Sequence, residues 1–83
     1  MNIYVGNLSY NVTEENLRQA FEAFGQVSSA KIVKGKYTGQ SRGFGFVQMP
    51  DRAEGQVAVK NLNGKELLGR RMDVNEASLR PIR

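Results

Sequence analysis

Apolar residues along this chain change their spacing repeatedly, and the order of those spacings limits the fold more than any single motif. Asn2 to Asn7 (NIYVGN) alternates, with Ile3 and Val5 on one side and Tyr4 and Gly6 on the other. That is the period of a half-buried strand. Leu17, Ala20, Phe21 and Phe24 then recur at i, i+3, i+4 and i+7, the stripe of an amphipathic helix. Thr13 stands where an N-cap belongs, Glu14 and Glu15 suit the positive end of the helix dipole, and Gly25 falls where a C-terminal stop is expected. Alternation returns between Val27 and Lys34, which sets Ala30 and Ile32 against Lys31 and Val33. Gly35 to Gln40 reads as a loop, and Ser41 to Met49 (SRGFGFVQM) as a third strand ended by Pro50. Asp51 caps a second helix whose packing side is Gly55, Ala58, Val59 and Leu62. Gly55 costs that helix ~1 kcal/mol against alanine, so it depends on packing more than on propensity. Asn63-Gly64 signals a turn, Lys65 to Arg70 a short irregular or hairpin piece, and Arg71 to Ala77 a last strand with Met72 and Val74 inward.

Strand, helix, strand, strand, helix, strand is therefore the expected order. Two interlocked strand–helix–strand units with right-handed crossovers give an α+β, ferredoxin-like βαββαβ sandwich. Its sheet is four-stranded and antiparallel, with both helices on one face. A chain of 83 residues fits one domain and one small core, burying roughly 60–65% of the surface its unfolded form exposes. The domain is expected over residues 1–77, and residues 78–83 form a short basic C-terminal tail.

The chain has no cysteine and no histidine. Disulfides and thiolate metal sites are excluded, and the commonest general base near neutral pH is missing. No apolar run spans a bilayer and Met1 leads directly into a strand, so neither membrane insertion nor a signal peptide is expected. A cytoplasmic protein without metal or cofactor is the reading that results. The net charge is +4, and its distribution is uneven. No acidic residue lies between Glu22 and Asp51, where Lys31, Lys34, Lys36 and Arg42 are found. Such a patch suits a polyanion, though on charge alone an ordinary soluble surface is an equal reading.

Two helices on one face leave the other face of the sheet uncovered. Alternate side chains point to opposite faces. Ile3 and Val5 must face the helices, which turns Tyr4 outward; Met72 and Val74 likewise turn Arg71, Asp73 and Asn75 outward. The third strand admits two registers. With Phe44 and Phe46 inside, Arg42 and Gln48 would be buried and Val47 and Met49 exposed, and burying an unpaired charge is costly. The opposite register puts Gly43 and Gly45 on the helix side, where glycine allows a helix to approach closely. Phe44 and Phe46 are thus expected outside, with Tyr4, as an aromatic platform beside Lys31, Arg42 and Arg71. Monomers seldom expose such a patch without a use, and flat unpaired bases are a ligand that stacks on it.

With these residues placed, the chain resembles the RNA recognition motif family. The family octapeptide K/R-G-F/Y-G/A-F-V-x-F/Y is matched by Arg42-Gly43-Phe44-Gly45-Phe46-Val47-Gln48-Met49, with only the last position departing. By parity that departure faces the core. The family hexapeptide on the first strand is matched by Ile3-Tyr4-Val5-Gly6-Asn7-Leu8. The resemblance runs from about Asn2 to Ala77, and the compact form is similar to small bacterial members and to the motif of plant glycine-rich RNA-binding proteins. It implies that Tyr4 and Phe44 stack on successive bases, that Phe46 packs against sugars, and that Arg42 pairs with phosphate. The main chain of Asn75 to Ala77 is implied to contact a base. Lys31, Arg71, Lys36, Gln48 and Asn2 complete the expected contact set, and Lys34 and Tyr37 belong to the same basic loop as Lys36.

The function these features imply is binding of single-stranded RNA by a monomer, without catalysis. Single-stranded DNA or a protein partner on the same fold is the alternative. An acylphosphatase-like enzyme shares the strand–helix order, but Leu8 to Val12 holds neither the glycine nor the arginine of its phosphate loop. No nucleotide-binding glycine motif precedes a helix either.

Overall fold

The computed structural model describes residues 1–77; the basic tail expected at 78–83 lies outside the described residues. β1 (Asn2–Gly6) leads to α1 (Glu14–Glu22), β2 (Ser29–Lys34), β3 (Ser41–Gln48) and α2 (Arg52–Leu62). Two short strands, β4 (Glu66–Leu67) and β5 (Arg70–Arg71), precede β6 (Asp73–Glu76). The main sheet has the order β2-β3-β1-β6, and its three pairings are antiparallel. This is the ferredoxin-like sandwich expected from the order of periods.

Each helix begins where its cap dictates. The Thr13 hydroxyl accepts the Asn16 N–H at 3.1 Å, and the Asn16 side-chain oxygen accepts the Thr13 N–H at 2.9 Å, a closed capping box. Asp51 accepts the Glu54 N–H at 3.1 Å and starts α2. Gly25 does not end α1 in the expected way. The C-cap is Ala23 in ordinary right-handed conformation, and Gly25 instead gives room to the Glu54 side chain of α2, which accepts the Gln26 N–H.

The core lies between the sheet and the helices. Ile3, Val5, Val47 and Val74 from the sheet, with Met49 just past β3, meet Leu17 and Phe21 of α1 and Ala58 and Leu62 of α2, all nearly or fully buried. Complete burial of a side chain such as Phe21 or Ile3 contributes about 1.5–3 kcal/mol. Gly55 is buried against the Met1 side chain, so the poor helix former is compensated by packing, as its sequence required. Met49 is fully buried, and the octapeptide's one departure is a core substitution.

Of the two readings for the segment after α2, the hairpin holds, and it runs one residue further than expected: Glu66 pairs with Arg71 and Leu67 with Arg70. Leu68 (φ 51°) and Gly69 (φ 89°) turn it, the two positive φ angles of a type I′ hairpin turn. The last sheet strand therefore starts at Asp73, and Arg71 belongs to the hairpin.

Candidate nucleic-acid interface

Strand register lays one row of side chains across the whole open face. Lys31 on β2 pairs with Phe46 on β3, Phe46 with Tyr4 on β1, and Tyr4 with Asn75 on β6. The neighbouring inward row, Ile32, Gly45, Val5 and Val74, packs into the core. A second outward row joins Ser29, Gln48 and Asn2, and the Asn2 carbonyl accepts the Ala77 N–H at 2.8 Å. That bond commits the Ala77 N–H to the sheet.

The three expected rings form one cluster. Ring centroids of Tyr4 and Phe44 lie 6.0 Å apart with the planes tilted by 35°. Phe46 stands edge-on to both, 5.9 Å from Tyr4 at 64° and 6.2 Å from Phe44 at 86°. Edge-to-face contacts of this kind are favourable for quadrupolar rings. Phe46 is 40% exposed, and Tyr4 and Phe44 are half-buried. Tyr4 reaches toward Phe44 by lying across Gly6: a Cβ on Gly6 would sit 2.8 Å from Tyr4 Cζ and Cε2.

The strand glycines act differently from expectation. A Cβ on Gly45 would strike the Lys31 carbonyl oxygen and come within 3.1 Å of Ile32 Cα. The close neighbour is the adjacent strand, not a helix. Gly43 is left-handed (φ 83°), which interrupts the alternation at this point. Its carbonyl accepts the Leu8 N–H at 2.8 Å, and its Cβ position lies 3.3 Å from Tyr10 Cε1. The glycine thus meets the β1–α1 loop, again not a helix.

Among the expected basic residues, Lys31 is exposed at the end of the aromatic row, and Arg42 is exposed just before Phe44. Lys36 is exposed on the β2–β3 loop, as are Lys34 at the end of β2 and Tyr37, which is 93% exposed. Arg71 was expected beside Asp73 and Asn75. It lies on the hairpin instead, and what it offers the sheet is its carbonyl, which accepts the Asn7 side-chain amide at 2.6 Å. The register of the sheet ends at Asp73, opposite Gly6. Arg70, its neighbour on the hairpin, reaches the end of β1 instead: its guanidinium donates to Asn7 Oδ1 at 2.6 Å. Arg70 and Tyr10 line an open cleft of about 460 Å³ together with Arg42, Phe44, Tyr4 and Asn7. Both residues were missed from sequence, because each is placed by a partner distant along the chain.

The structure is thus a βαββαβ module whose open antiparallel face bears three clustered rings with cations at its rim. The family model for the RNA recognition motif matches residues 3–73. The chain belongs to that family. It is 48% identical over 79 residues to glycine-rich RNA-binding protein 1 of Mycosarcoma maydis, and covers 95% of this chain and 45% of that protein. It is 47% identical over 83 residues to RbpB of Nostoc sp., named as an RNA-binding protein, with 100% of this chain and 81% of that protein covered. The chain thus spans less than half of the fungal relative and most of the cyanobacterial one. Among solved structures, the RNA binding protein PG1 superposes with a TM-score of 0.93 at 46% identity, covering 99% of each chain. A Sex-lethal protein/RNA complex superposes with a TM-score of 0.85 at 33% identity, over 92% of this chain and 47% of that one.

Proposed function

We propose that this protein binds single-stranded RNA on the open face of its sheet, without catalysis. The observation that carries the reading is the ring cluster of Tyr4, Phe44 and Phe46 at centroid separations of 5.9–6.2 Å. Two successive bases stack on Tyr4 and Phe44, and the upright Phe46 packs against the sugars between them. Each stacked base contributes ~1–3 kcal/mol. Lys31 and Arg42 neutralise phosphate at the rim, with Lys36 and Arg71 further out. Gln48, Asn2 and Asn75 flank the rings on the same face and offer hydrogen bonds to base edges. Bases in a duplex are already stacked on each other, which is why the strand must be single. The relatives named as RNA-binding proteins and the RNA complex of Sex-lethal support the reading by likeness.

The test begins with recovery of the tightest octaribonucleotide from a fully randomised pool. Phe44→Ala is expected to weaken its binding by roughly 5- to 150-fold, the equivalent of one lost stack, while the variant still unfolds cooperatively. Affinity for that RNA unchanged by Phe44→Ala sinks the platform. The DNA strand of the same sequence, bound as tightly as the RNA, would replace RNA with single-stranded nucleic acid in general.

A further inference from the structure

We propose that the cleft beyond Phe44 takes one further nucleotide of the bound strand, its base against Tyr10 and its phosphate on Arg42 and Arg70. This inference rests on the RNA-binding reading above and extends it. The cleft is continuous with the platform, since Tyr4 and Phe44 form one of its walls. No residue lining it is acidic. Among the described residues, Arg42 and Arg70 take part in no salt bridge, so their charge is available to an anion.

Tyr10 is built for presentation to a ligand. It is 75% exposed, yet its loop is anchored on either side by Leu8 and Val12, which are 2% and 4% exposed. The loop is tied further by the Leu8 N–H on the Gly43 carbonyl and by the Val12 and Asn11 N–H groups on the carbonyl and hydroxyl of Ser9. A ring held out on a pinned loop loses little freedom when a base covers it. One edge of the ring faces the side of Gly43 that carries no side chain, where a Cβ would lie 3.3 Å from Tyr10 Cε1, and this sets the ring beside the strand that carries Phe44. Arg70 is oriented as well. The Asn7 side chain accepts from its guanidinium at 2.6 Å and donates to the Arg71 carbonyl at 2.6 Å. This two-sided amide clip fixes the hairpin and leaves the remaining guanidinium donors for phosphate. An aromatic face and two cations around one cleft are the elements of a nucleotide site.

The experiment compares the selected octaribonucleotide with the shortest fragment of it that still binds. Tyr10→Ala should lower octamer affinity by roughly 5- to 150-fold and leave fragment affinity unchanged. Tyr10→Phe should keep the octamer affinity. Arg70→Gln should lower octamer affinity and reduce its salt dependence. Tyr4→Ala should weaken both RNAs. Independently of any variant, 4-thiouridine placed along the octamer should cross-link to the peptide containing Tyr10 from a position outside the fragment. Octamer affinity unmoved by Tyr10→Ala, with Tyr4→Ala still damaging, overturns the extra site and spares the platform. Equal losses for octamer and fragment also overturn it, because Tyr10 would then act on the platform. If Tyr4→Ala has no effect on either RNA, the platform itself fails.

Discussion

Gly6→Ala should separate RNA affinity from fold stability. Gly6 is not among the residues with positive φ, so alanine fits its backbone. The new Cβ would lie 2.8 Å from Tyr4 Cζ and Cε2, against an optimum of ~3.5–4.0 Å between carbons. The Tyr4 hydroxyl lies closer still to that Cβ, so the ring must withdraw by more than roughly 0.7–1.2 Å. What moves is the free end of a side chain, so the fold tolerates it. Two ring contacts weaken, each worth ~0.5–1.5 kcal/mol beyond area burial. Replacing glycine within a strand returns ~0.5–1 kcal/mol. The net loss of stability should stay within ~2.5 kcal/mol. RNA affinity should fall by up to one stack, ~1–3 kcal/mol or roughly 5- to 150-fold. Anisotropy titrations of a labelled octaribonucleotide and urea unfolding measure the two quantities. The double-mutant cycle supplies the decisive comparison: in a Tyr4→Ala background, Gly6→Ala should cost no further affinity. An undiminished loss in that background would show that Gly6 acts on RNA by some route other than the Tyr4 ring.

Gly45→Ala should behave in the opposite way. Its Cβ meets the Lys31 carbonyl and Ile32 Cα, which are backbone and cannot swing aside, so denaturant unfolding should report a loss of ~1–3 kcal/mol. Met49→Phe restores the aromatic residue of the octapeptide's last position inside a filled core. It should cost ~1–3 kcal/mol of stability and leave RNA affinity unchanged; a change in affinity without one in stability would refute the inward placement. Arg42→Gln should lower the slope of log affinity against log salt by about 0.7, the value for one phosphate of a single strand. An unchanged slope would remove Arg42 from the phosphate contacts.

Much of the platform was legible because short strands with a strict period leave few choices. Ile3 with Val5 and Met72 with Val74 fix two strands, and a charged Arg42 or polar Gln48 could not be the buried set on the third. What escaped sequence reading has identifiable physical causes. Gly43 adopts a left-handed conformation, and a period-2 pattern gives no sign that its alternation breaks there. The hairpin from Glu66 to Arg71 turns on Leu68 and Gly69, and leucine is an uncommon choice for a positive φ. The sequence admits a hairpin there, but without an Asn-Gly signal it does not show that Arg71 belongs to the hairpin and not to the sheet strand. Arg70 and Tyr10 are oriented by Asn7 and Gly43, partners that periodicity along the chain cannot reveal.

The row of Lys31, Phe46, Tyr4 and Asn75 has a practical consequence for engineering. One position from each strand of the sheet meets the solvent there, while the row beside it holds the core. Randomising those four positions together should yield libraries in which most members fold. Selection for a new ligand could then act on one strip of surface, with the scaffold held constant beneath it.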